Sequence, residues 1–162
     1  MINRIIKGSI LSDYKRRKVI VLLGARQVGK TTLLSELCEG KDRVLSLNCD
    51  NVDDVLALEG KTTTELRQLL SSYELVFIDE AQRVKNVGLT LKMIGDLKLE
   101  TQVVVTGSSS LDMADEINEP ATGRLIEYNL FPFSLPELAL YSSEREENRL
   151  LENRMIYGLY PE

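Results

Sequence analysis

The chain of 162 residues contains no histidine and only two cysteines. Without imidazole there is no Ser-His or Cys-His nucleophile pair, no imidazole general base and no access to the commonest metal ligand. Any catalysis therefore rests on carboxylates, lysine, arginine and a metal held through oxygen. Cys38 and Cys49 are too few for a disulfide framework or a zinc site and read as buried apolar fillers in a reducing compartment. No apolar run approaches the ~20 residues that span a bilayer, and the N-terminus has neither the apolar core nor the cleavage site of a signal peptide. These absences point to a cytoplasmic protein without a membrane partner. Positive charge is also short: the net charge is −5, which argues against non-specific coating of nucleic acid but leaves a local basic patch open.

What is present is ordinary for a globular domain, with 43% hydrophobic and 28% charged residues in a length that fits one core. The organising stretch is Gly24-Ala25-Arg26-Gln27-Val28-Gly29-Lys30-Thr31, which follows the apolar run Val19–Leu23 and opens a helical pattern of Leu33, Leu34, Leu37 and Cys38. It reads G-x-x-x-x-G-K-T, a phosphate-binding loop. A backbone that wraps a polyphosphate needs glycine where a Cβ would block the turn. Its N–H groups form an anion nest, and the following helix adds the positive end of its dipole. Lys30 is a mobile charge for the β- and γ-phosphates, the Thr31 hydroxyl is a ligand for Mg²⁺, and Thr32 extends the binding segment.

The second landmark is Leu75-Val76-Phe77-Ile78-Asp79-Glu80, a buried parallel strand ending in two acids. Asp79 is placed for the magnesium shell and Glu80 for the proton of an attacking water. Thr101–Ser108 is a further buried strand, expected between the other two, with Thr106 or Ser108 near the γ-phosphate. Ser108 reads equally well as a cap for a following helix, as do Ser109 and Ser110. Arg124, before the strand Leu125–Leu130, is either a cation for the γ-phosphate or a surface ion-pair partner, and Arg26 carries the same ambiguity.

Around these landmarks the chain predicts a short amphipathic helix over residues 1–14 and then the basic run Lys15–Lys18, either a solvated cluster or a phosphate contact. A strand over 43–48 follows. Next comes a helix with a Thr62-x-x-Glu65 capping box and an apolar face of Leu66, Leu69, Leu70 and Tyr73. A helix is expected from Gln82 with Met93, Ile94 and Leu97 as its stripe, and another from Ser134 with proline in its first turn. A last one follows a Ser143-x-x-Glu146 box, carrying Leu150, Leu151 and Met155. The division expected is a domain over 1–140 and a C-terminal helix over 141–162 that begins a linker or second domain.

With these residues in place the chain resembles the prokaryotic AAA-type ATPase domain. Gly24–Thr31, Asp79-Glu80-Ala81-Gln82, Thr106-Gly107-Ser108-Ser109, Gly123-Arg124 and Phe131–Glu137 match its motifs, so the likeness covers nearly the whole chain. Pro136 departs from the usual aromatic of the last segment. The resemblance implies a three-layer α/β P-loop NTPase fold, with a parallel five-stranded sheet flanked by helices. It implies ATP binding and hydrolysis with Mg²⁺: Lys30 and Thr31 on the phosphates, Asp79 on the metal and Glu80 as base. It also implies a C-terminal domain in full-length relatives, and the adenine preference rests on it alone. The leading reading is an ATPase coupled to conformational change. A P-loop kinase for a small acceptor and a non-hydrolysing nucleotide-gated module are the alternatives, with a homo-oligomer and a nucleic-acid partner left open.

Overall fold

The computed structural model describes residues 2–108 and 123–161. Five parallel strands form one sheet: β1 (Val19–Leu23), β2 (Val44–Asn48), β3 (Leu75–Asp79), β4 (Gln102–Gly107) and β5 (Leu125–Asn129), in the order β2-β3-β4-β1-β5. β4 lies between β1 and β3, as the sequence leads one to expect, with Leu23 beside Gly107 and Ile78 beside Val105. The central strands β1 and β4 are buried throughout and β3 all but its last residue, which is why their middles read as apolar runs.

Alternation along those strands builds two cores. Val19, Val21, Leu23, Val76, Ile78, Val103 and Val105 face a layer of helices that supplies Leu58, Leu66, Leu70, Leu91 and Ile94. These come from α3 (Val52–Leu58), α4 (Thr63–Leu70) and α5 (Val87–Asp96). Ile20, Leu22, Phe77 and Val104 face the other layer, where α1 (Ile6–Asp13) gives Ile10 and α2 (Lys30–Cys38) gives Leu33, Leu34 and Leu37. The result is the three-layer α/β architecture. Two more helices, α6 (Leu135–Tyr141) and α7 (Glu144–Tyr157), close the chain. Among the described residues no helix is long and apolar enough to cross a membrane.

Three expectations are corrected. No helix begins at Gln82: a single 3₁₀ turn, Ala81–Arg83, is followed by a break, and α5 starts at Val87. Both Glu80 and Asn86 sit at φ 53°, a left-handed conformation that interrupts a helix, while Val84 between them drops into the core. The apolar stripe is accordingly Val87, Leu91 and Ile94, with Met93 and Leu97 only half-buried. The Ser143 box closes on one side alone. Ser143 Oγ accepts from the Glu146 N–H at 3.2 Å, but the buried acid is Glu147, which takes the Ser142 hydroxyl at 2.8 Å and the Arg154 guanidinium at 3.2 Å. Nor does α7 bury its expected stripe, since Met155 is 79% exposed and Leu151 37%. The Thr62–Glu65 box forms in full, preceded by the separate helix α3 and a turn at Gly60. Ser109 and Ser110 lie outside the described residues.

Candidate functional site

β1 delivers the chain to the C-terminal edge of the sheet, where open α/β folds bind ligands, and residues 24–29 turn it back into α2. The turn is tight for a stated reason. A Cβ on Gly24 would stand 2.6 Å from the Leu130 carbonyl oxygen, so only hydrogen fits between the loop and the end of β5. Gly24 N–H donates to Gly107 O at 3.3 Å, and Leu130 N–H to Leu23 O at 2.7 Å, fastening the loop to β4 and to the residue after β5. Val28 is fully buried and anchors the loop from below, while Gln27 and Gly29 take left-handed backbone at φ 62° and 95°. Gly29 is the N-cap of α2 and offers no side chain to its first turn, leaving those N–H groups facing the loop.

Lys30 is the most constrained cation of the region. Its Nζ donates to the carbonyls of Gly24 at 2.8 Å and Ala25 at 2.9 Å, and the side chain is buried. Burial lowers its pKa below the ordinary lysine value, while the nearby Glu80 and Asp79 oppose that shift. The ammonium therefore lies in the field of the two acids although they come from a different strand. Arg26, Gln27, Thr31 and Thr32 are exposed and, with Gly29, Lys30, Asp50 and Glu80, line a cleft of about 610 Å³.

The acids are held from β4. The fully buried Thr106 donates its hydroxyl to Asp79 Oδ1 and accepts the Glu80 N–H at 3.2 Å. Asp79 O also accepts the Cys49 N–H at 2.9 Å, tying β2 into the edge. Cys49 is buried as expected, and burial together with Asp54, Asp79, Asp50 and Glu80 pushes its thiol up to about 12, so it stays protonated. Ser108 follows β4 directly and is half-buried beside the loop edge.

Arg124 is elsewhere. All strands being parallel, a residue that precedes β5 lies at the N-terminal edge; its carbonyl accepts the Val19 N–H at 3.1 Å, and its side chain forms an ion pair with Asp96. The five-residue length of β1 separates it from the loop by about 17 Å. Within one chain it does not reach the phosphate site, and Arg26 is the arginine in the cleft.

Several residues of the site escape the sequence reading. Asp50 at the cleft rim pairs with Arg83 at 3.4 Å. Arg4 is buried, donates to Val28 O at 3.4 Å and to Phe131 O, pairs with Glu137 at 3.5 Å and lies 4.5 Å over the Phe133 ring, so it clamps the underside of the loop. The segment after α7 folds back on the site: Phe133 N–H donates to Leu159 O at 2.8 Å, and Pro161 lines the cleft above Gly29. Beside it a second, more apolar cleft of about 820 Å³ is walled by Ile2, Val28, Phe133, Leu138, Tyr157 and Leu159; Gly29, Thr32 and Pro161 belong to both clefts. None of these contacts has a local signature, because the partners are far apart in the chain.

Among the described residues no group of three or more His, Cys, Asp or Glu side chains could hold a metal alone. Mg²⁺ keeps waters and takes one or two protein oxygens plus phosphate oxygens, and the Thr31 hydroxyl and the Asp79 carboxylate would be oxygens of that kind.

No curated protein matches the chain. Among solved structures it is similar to the Walker-type ATPase PABY2304 of Pyrococcus abyssi, with a TM-score of 0.59 and 19% identity over 96% of this chain. The chain spans 63% of that protein's length, and the likeness is one of fold, that of a P-loop ATPase. The AAA domain family matches residues 16–139, from just before β1 into α6, and the chain therefore belongs to the AAA domain family.

Proposed function

We propose that this domain binds ATP with Mg²⁺ across the two joined clefts, hydrolyses it to ADP and phosphate, and couples that cycle to movement of its C-terminal segment. One observation carries the reading: the buried ammonium of Lys30 is parked on the carbonyls of Gly24 and Ala25 within the glycine-bent loop, in a cleft that Glu80 also lines. A polyphosphate offers Lys30 stronger, charged acceptors than those two carbonyls. Thr31 and Asp79 would hold the magnesium ion, which neutralises charge on the phosphates. Glu80 accepts the proton of the attacking water, and Arg26 and Ser108 flank the terminal phosphate. The nucleoside end enters the apolar cleft that shares Gly29, Thr32 and Pro161 with the phosphate cleft. Support for coupling comes from Pro161, which touches both clefts, and support for adenine from the family. The helix over 144–157 and the residues after it are the start of the element that is driven.

The test combines two variants. Lys30→Ala should lose ATP binding in calorimetry. Glu80→Gln should bind ATP as the parent does while phosphate release without added acceptor falls about 10²–10⁴-fold. Unchanged ATP affinity in Lys30→Ala would remove the loop from the account; parental phosphate release in Glu80→Gln would place the base elsewhere.

A further inference from the structure

The backbone of Glu80 is fixed on every side, yet its side chain is not. Its N–H is held by Thr106 at 3.2 Å, its carbonyl accepts the Arg83 N–H at 3.1 Å, and the next residue, Ala81, is fully buried. This pins a non-glycine residue at φ 53° and ψ 40°, a conformation that persists only where the surroundings over-determine it. The carboxylate remains free to rotate except for one contact: Gln82 Nε2 donates to Glu80 Oε2. The orientation of that amide is forced, because its oxygen facing a carboxylate would set two acceptors against each other. Its other end is then left with nothing. Gln82 Oε1 is buried and has no hydrogen-bond partner among the described residues. A glutamine that only filled space would turn its oxygen toward a donor or to water.

We infer that Gln82 is the positioning residue for the proposed general base: it holds Glu80 by one oxygen, so that Oε1, to which no described residue donates, faces the reacting water. The inference rests on the hydrolytic reading above and assigns a role to the glutamine of the Asp79-Glu80-Ala81-Gln82 motif. The 3₁₀ turn Ala81–Arg83 is what makes the two-residue reach possible. A continuous helix from residue 81 would point Gln82 away from Glu80, since helical neighbours lie three or four positions apart.

The test is Gln82→Met, which keeps length and volume but has no donor. Turnover should fall about ten- to a hundredfold, the cost of a misplaced reacting group. KM and the calorimetric affinity for a non-hydrolysable ATP analogue should stay within about twofold. The thermal midpoint should hold or rise, because a buried oxygen without a partner has been removed. A second arm needs no nucleotide: in ¹⁵N spectra, the side-chain amide signal missing from Gln82→Met should be protected from exchange in the parent and lose that protection in Glu80→Ala. Parental turnover in Gln82→Met would overturn the inference. So would a loss of turnover matched by weaker analogue binding or a lower thermal midpoint, or an amide signal indifferent to Glu80→Ala. Absence of phosphate release from the parent itself would remove the hydrolytic reading and this inference with it, a result recognisable because no variant is involved.

Discussion

Thr106 shows how much of the site depends on one hydroxyl without access to solvent. It gives its proton to Asp79 and its lone pair to the Glu80 N–H, so the two acids share a single buried peg on the neighbouring strand. Both bonds go to the acids at the tip of β3, and the side chain that makes them is fully buried. Thr106→Val keeps the shape and removes the peg. We expect Mg²⁺-dependent nucleotide affinity to fall about ten- to a hundredfold, as for other groups that orient a metal ligand, with magnesium-free binding nearly unchanged; titrations with and without chelator measure both. Lys30, Thr31, Asp79 and Glu80 were legible in the sequence because their positions follow from local chain geometry, a turn into a helix and the tip of a buried strand. The direction of the Thr106 hydroxyl was not, since its acceptor is 27 positions away. Arg124 is instructive in another way. Once every strand is parallel, a residue just before a strand belongs to the edge opposite the loop, so topology keeps it from the loop of its own chain, where composition could not.

At the level of elements, the junction between the N-terminal segment and α6 stores a buried ion pair. Glu137 closes the capping box of α6 with Ser134, accepts the Ile5 N–H at 3.0 Å and faces Arg4. Burial alone would raise its pKa, but the N–H groups of Ser134 and Ile5 and the Arg4 guanidinium outweigh it and hold the carboxyl below its usual range. The stabilisation is therefore complete above the unfolded-chain value of about 4.3 and disappears as pH falls through the lower folded value. Glu137→Gln leaves Arg4 buried without its charge partner and should cost roughly 3 kcal/mol at pH 7. For a domain of this size that is of the order of 6–12 °C in Tm, and the gap to the parent should shrink below about pH 4. Calorimetric scans of both proteins across that range check the sign and the size. Helix caps such as Ser134 and Thr62 were readable because capping is a short-range bargain between a hydroxyl and the N–H three residues on. The start of α5 was not, because the left-handed backbone at Glu80 is fixed from strand β4, through Thr106, rather than by a breaker residue.

For the molecule as a whole, the order β2-β3-β4-β1-β5 brings the loop after β1, the acids at the tip of β3 and Ser108 after β4 to one edge. The reading of strand runs anticipates the central part of that order, β4 between β1 and β3, but not the places of β2 and β5. The doubling back of residues 158–161 was invisible to it. Gly158, at φ 84° and ψ −174°, adopts a backbone that other residues avoid, and it steers Leu159 onto Phe133 and Pro161 onto the rim above Gly29. A fluorescent dye or purification handle joined beyond Pro161 would accordingly stand in the doorway of the clefts. Such a tagged protein should bind ATP more weakly than the untagged one, and a small dye placed there should change its emission when nucleotide is added. The practical lesson is that a reporter on this strap watches the site while it is small and blocks it once it fills the rim.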